Sequence, residues 1–252
     1  MFSLNEQKAI ELGEAGEKAI REQNEYDALQ NIEYLREFGE ELINAGLESD
    51  LKRTVISLRN IGNIAIQKKL ESVAATSVQV LRTLAEPSLE KNFSNALWSF
   101  SRALQEIGKG AAQFRFKEPA SNAVEALELI GMGAIEKKME VVTLWTTLAL
   151  EEIGYISGKQ ELEDLVSAAK AAREGIITAS EAGKFITREQ IEIYPQLIAQ
   201  TVSEFAELQN LQPAGYKGRP NEEFTEEEFF GEEAEEGESE EEEPAESSGK
   251  EE

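Results

Sequence analysis

"ALELIGMGAIEKKM" (Ala126–Met139) sets two glycines, Gly131 and Gly133, inside a stretch whose apolar spacing is helical. A glycine within a helix costs ~1 kcal/mol relative to alanine. Either the pair belongs to a phosphate-cradling loop, or the packing requires a residue without a side chain. Steps of 23 residues decide between the two. From Gly131 they reach Gly16, Gly39, Gly62, Ala85, Gly108 and Gly154, ending at Ile177. Four positions earlier the same steps give Leu12, Leu35, Leu58, Leu81, Leu104, Leu127 and Leu150. One position earlier stand Ala15, Phe38, Ile61, Leu84, Ile107, Ile130, Ile153 and Ile176. A nucleotide loop would occur once, whereas this glycine recurs at six positions beside an unbroken leucine column. Neither Gly131-Met132-Gly133 nor Gly108-Lys109-Gly110 extends to a phosphate-binding motif, and no strand precedes either. The glycines at Gly16, Gly39, Gly62, Gly108, Gly131 and Gly154 are therefore expected to be helix-crossing contacts, where small residues let axes approach closely. Gly133 lies off the ruler and has no role in this reading.

Leu127, Ile130, Gly131 and Ala134 fall on one helix face, at i, i+3, i+4 and i+7. Ser49, Ser72, Asn95, Asp164 and Thr187 share one register and are good N-cap types, while Glu118 there is followed by Pro119. Thr187 and Gln190 form a capping-box pair. Lysines cluster just before the boundary, at Lys68, Lys69, Lys91, Lys137 and Lys138, where a helix C-terminus favours positive charge. An apolar residue follows them (Leu70, Phe93, Met139) and staples one helix to the next. Each unit thus reads as one helix of about 19 residues and a turn of about four. The expected helices are 4–22, 27–45, 50–68, 73–91, 96–114, 119–137, 142–160, 165–183 and 188–209, with neighbours antiparallel.

This all-α array of about nine helices resembles the HEAT and armadillo α-solenoids over residues 4–209, on motifs such as "LRNIGNIAIQKKL" and "LQEIGKGAAQF". The proline and Asp/Arg positions usual in HEAT repeats are not evident, and every helix carries nearly the same signature. The resemblance implies a binding scaffold. An up-and-down helical bundle is the structural alternative.

Composition narrows the chemistry. With no Cys and no His, disulfides, Cys/His zinc sites, Ser-His-Asp triads and cysteine nucleophiles are all impossible. The net charge is −25, and residues 221–252 hold 17 Glu against one Lys. So acidic a surface repels nucleic-acid phosphates, and no direct nucleic-acid binding is expected. The N-terminus lacks a signal-peptide pattern, and the most apolar run, Val141–Leu150, is about half the length of a membrane span. The expectation is a cytoplasmic protein without a membrane-spanning helix.

After Leu211 the periodicity stops. Pro213, Gly215, Gly218 and Pro220 mark a linker, and the Glu-rich segment beyond cannot offset its ordering entropy. The domain division is therefore 1–212 for the repeat body and 213–252 for linker and disordered tail. Phe224, Phe229 and Phe230, set among glutamates, are candidates for docking a basic partner, and Lys217 with Arg219 forms the one basic pair nearby. Other motifs carry bland readings: Ser88-x-x-Lys91 falls in a small-residue register, and the sequon Asn92-Phe93-Ser94 reads as a turn. Glu151 and Glu152 point in different directions on a helix, and Trp98 and Trp145 read as core. No catalytic, cofactor-binding or metal-ligating residue emerges. The expected function is a non-enzymatic protein–protein interaction scaffold that combines the repeat body with the acidic tail. The alternative is a chaperone-like or nucleic-acid-mimicking protein whose polyglutamate shields a basic client.

Overall fold

The computed structural model describes residues 3–195. They contain eight helices: α1 (Leu4–Arg21), α2 (Glu25–Ala45), α3 (Glu48–Gln67), α4 (Glu71–Glu90), α5 (Ser94–Gln113), α6 (Lys117–Glu136), α7 (Glu140–Lys159) and α8 (Glu163–Ala182). A ninth helical segment starts at 188 and runs to the edge of the described residues. The rest of the expected helix 188–209, the boundary after 212, the linker and the acidic tail lie outside them.

Two or three residues join successive helices from α1 to α8 and five precede the ninth segment, but each joint opens in the same way. A left-handed residue recurs every 23 positions, at Gln23, Gly46, Lys69, Asn92, Arg115, Lys138, Glu161 and Lys184. At α6 the Lys138 N–H donates to the Ile135 carbonyl (3.1 Å) and the Met139 N–H to the Ala134 carbonyl (2.8 Å). This pair of bonds is a Schellman motif, and it satisfies carbonyls that the helix end would leave bare. Only Gly46 is a glycine, so the other seven positions carry the steric cost of a Cβ in the left-handed region.

The turn is shorter than expected, and it corrects the assigned caps. Ser49, Ser72, Asn95 and Asp164 are second residues of their helices and Pro119 is the third of α6. The N-cap positions are Leu47, Leu70, Phe93, Phe116, Met139 and Leu162, none with a side-chain cap bond. At these six joints the residue after the left-handed one is apolar and offers no oxygen, whereas Asn24, which follows Gln23, caps α2 by accepting from the Asp27 N–H (3.2 Å). Other carboxylates supply some of the missing acceptors. Glu48, first in α3, accepts from the Asn95 N–H (2.7 Å) and the Ala96 N–H (3.1 Å) at the start of α5. The Thr187–Gln190 capping box is present, with the Thr187 N–H on the Gln190 Oε1 (2.9 Å) and the Gln190 N–H on the Thr187 Oγ (3.3 Å).

Each described helix packs on the next and the next but one, and on no other. The odd helices therefore form one layer and the even helices a second. In a closed bundle α1 and α8 would meet, and they do not, so the array is an open solenoid. Leu35, Leu58, Leu81, Leu104, Leu127 and Leu150 are fully buried between the layers. Burial of each such side chain contributes about 1.5–3 kcal/mol.

The ruler glycines sit where three helices meet. A Cβ on Gly16 would stand 2.6 Å from Ile61 Cδ1, on Gly39 2.7 Å from Leu84 Cδ1, on Gly62 2.6 Å from Ile107 Cδ1, and on Gly108 2.7 Å from Ile153 Cδ1. Gly131 faces Ile176 in the same way. In every case the partner lies 45 positions on, just before the ruler position two helices later. The intervening helix adds a third neighbour: Asn31 at Gly16, Ser77 at Gly62, Ala123 at Gly108 and Thr146 at Gly131. Gly154 differs: among the described residues a Cβ there would meet only Ala169 Cβ, at 3.4 Å. Gly133 now has a reason as well. It faces the preceding helix of its own layer, where a Cβ would stand 2.7 Å from Leu89 Cδ1. Gly110 meets Ile66 in the same register, at 3.3 Å.

Candidate interaction surfaces

The side chains singled out as chemical candidates are engaged structurally. Ser88 is fully buried, and its hydroxyl donates to the Leu84 carbonyl (2.7 Å), away from Lys91. Asn92 is the left-handed residue of its turn, as the sequon reading expected of a turn. The carboxylates of Glu151 and Glu152 diverge. Glu151 pairs with Arg173 on α8 (3.0 Å), while Glu152 takes Lys109 (2.8 Å) and the Gln105 amide (2.7 Å) on α5. Among the described residues no group of three potential ligands is placed to hold a metal ion. No described helix is long and apolar enough to cross a membrane. Phe224, Phe229, Phe230, Lys217 and Arg219 lie outside the described residues.

Trp98 and Trp145 are half-buried at the edge of the core rather than inside it. Their rings meet edge to face at 5.7 Å, and the Arg102 guanidinium lies 5.1 Å from the Trp98 ring centre. Such aromatic pairs contribute about 0.5–1.5 kcal/mol beyond area burial. The Trp145 Nε1–H is buried and has no acceptor among the described residues.

The polar positions of the odd layer are largely cross-linked. Glu106 on α5 takes Arg59 (3.4 Å) and Asn63 (3.3 Å) from α3, Asn60 reaches Glu17 on α1 (3.4 Å), and Lys109 continues the ladder to Glu152 on α7. These odd helices carry ten acidic and nine basic side chains, a net of −1.

The even layer is different. Its four helices carry seventeen acidic and five basic side chains, a net of −12. Arg36 is shared between Glu33 (2.6 Å) and Glu40, and its hydrogen bond holds the Glu33 carboxyl below the usual carboxylate range. Arg82 reaches across from α4 to Glu125 on α6 (2.9 Å). Most of the remaining glutamates face solvent. Between α4 and α6 lies a groove with Leu89, Leu129, Met132 and Gly133 at its base and a rim of five glutamates. This asymmetry is invisible along the chain, because it depends on which helices share a layer.

The exposed positions of α1 are mostly polar, with Leu4 the large apolar exception. They include Glu11, Glu14 and Lys18, and Ala15 stands where later helices place a large apolar residue. Such outer faces cap repeat arrays against further stacking.

No family model matches the chain, and no curated protein matches it. Among the solved structures similar to it in fold are two filament chains. The chain described as "DHF46 filament" superposes with a TM-score of 0.54 at 13% identity, covering 68% of this chain and 95% of that one. "DHF91 filament" gives 0.55 at 14% identity, covering 69% and 98%. At such identity the likeness is one of fold: a repeated helical array.

Proposed function

We propose that the protein is a non-enzymatic protein–protein interaction scaffold of the HEAT/armadillo kind, working in the cytoplasm on a basic partner. The observation that carries this reading is the open two-layer stack, which leaves a near-neutral and a strongly acidic side exposed on one rigid body. Surfaces of this type bind by shape and charge over several helices. Ser88 is bonded to its own helix, and Glu151 and Glu152 diverge to separate partners, so these side chains serve packing and cross-links between helices. The acidic segment with Phe224, Phe229 and Phe230 serves as a second contact. Both similar structures bear the word filament, but the polar side chains of α1 do not favour growth of this array from that end.

The test is affinity capture with the full chain as bait, followed by titration of each purified candidate. At least one should bind stoichiometrically at physiological salt and still bind a chain ending at Pro220. If binding vanishes with residues 221–252, the tail rather than the body is the scaffold, and the proposal fails.

A further inference from the structure

Resting on the scaffold reading, we infer that the groove between α4 and α6 is the docking site for a basic amphipathic helix of the partner protein. The groove runs from Arg82 to Glu90 on α4 and from Glu125 to Glu136 on α6. At 1.5 Å per residue that is a trough of about 12–16 Å, or two to three helical turns. Its base is apolar. Leu129 is half-buried there, Leu89 is nearly covered, and Met132 is 39% exposed. A thioether at the floor adapts to differently shaped apolar side chains.

The rim supplies the charge complementarity. Glu86, Glu90, Glu125, Glu128 and Glu136 surround this floor, and all five are exposed. One basic side chain, Arg82, stands among them and is already paired with Glu125. Lysines or arginines along both flanks of a helix would meet the glutamates, while one or two large apolar side chains at i and i+3 or i+4 entered between α4 and α6. An acidic or neutral helix would bring like charges or unpaired carboxylates together. On the odd layer, by contrast, Glu17, Glu106 and Glu152 are tied in the Glu17–Asn60, Arg59–Glu106 and Lys109–Glu152 contacts.

The probe is a synthetic 18-residue helical peptide with a Lys-rich side and a two-leucine apolar stripe, labelled for fluorescence anisotropy and titrated with the full chain. A second peptide has the same composition, scrambled to destroy the stripe. The striped peptide should bind more tightly than the scrambled one. Replacing Glu90 and Glu128 together by Lys should weaken it about tenfold or more, since two exposed charge pairs become repulsions. Met132→Glu should weaken it as well, Met132→Leu should not, and Glu11→Lys on α1 should leave it unchanged. A benzoylphenylalanine placed in the stripe should cross-link to Leu129 or Met132. Equal binding of the two peptides, indifference to the α4/α6 variants, or cross-links on residues 221–252 would overturn the groove. In those cases a natural partner that binds the body elsewhere leaves the scaffold reading standing, whereas a chain that binds no protein removes both.

Discussion

Gly131→Ala and Gly175→Ala are the same chemical change in two helices, yet the packing predicts opposite signs. Each gains about 1 kcal/mol of helix propensity. Gly175 is exposed on α8, and its new Cβ would approach nothing closer than Glu128 Oε1 at 4.0 Å, so the full gain should appear. At Gly131 the Cβ would overlap Ile176 Cδ1 and stand 2.9 Å from Thr146 Oγ1 and 3.0 Å from Ile176 Cγ1. Two helices must yield at once, and overpacking of that kind costs about 1–3 kcal/mol. The net is a destabilisation of up to about 2 kcal/mol, or several degrees in melting temperature for a body of this size. Ile176→Val removes the colliding Cδ1 and alone costs about 0.5–1.5 kcal/mol. Combined with Gly131→Ala it should cost less than the sum of the singles. Calorimetry or denaturant melts of the four variants and the parent measure this cycle. Strict additivity, or a Gly131→Ala chain stabilised as much as Gly175→Ala, would refute the 45-residue contact from which the stacking is built.

The remaining predictions concern the joints. Glu161→Gly should raise the melting temperature, because glycine relieves the steric cost of the left-handed turn at φ 61°. The gain should be about 0.5–1 kcal/mol, less than the full steric penalty since glycine also loosens the unfolded chain, and an unchanged or lower value would contradict it. Glu48→Gln should cost about 0.5–1 kcal/mol by weakening the charge-assisted cap on α5. Hydrogen exchange should accelerate at Asn95 and Ala96, and unaltered exchange there would remove the cross-helix cap.

Much of this architecture was legible in the chain because the core repeats. The leucine column and the Gly131 register are core positions, and their 23-residue recurrence alone identifies one helix per unit with small residues at the crossings. The boundaries were read less well, for a physical reason. Ser49, Ser72, Asn95 and Asp164 look like caps by residue type, but the Schellman turn places an apolar residue at the cap and moves them into the first turn. The period in the left-handed residues was missed because Gln, Lys, Asn, Arg and Glu share no residue type, only a backbone angle. Gly133 could not be placed because its partner, Leu89, lies in the preceding helix of its layer, opposite in direction to the Gly131 contact.

The candidate surface was hidden for a different reason. A unit signature that holds for every helix describes what the layers share, namely the buried face. Layer identity follows from parity, since a helix that packs only on its next and next-but-one neighbours alternates sides along the chain. Substitutions at outer positions do not disturb the leucine column or the glycine crossings, so the two exposed sides are free to diverge while the core signature stays uniform. That divergence is what separates a net of −12 on the even helices from −1 on the odd ones. Mutual repulsion among glutamates destabilises a compact body, so core packing alone gives no reason to concentrate them in one layer. The basic partner proposed above would give one, because its charges would offset the repulsion on binding.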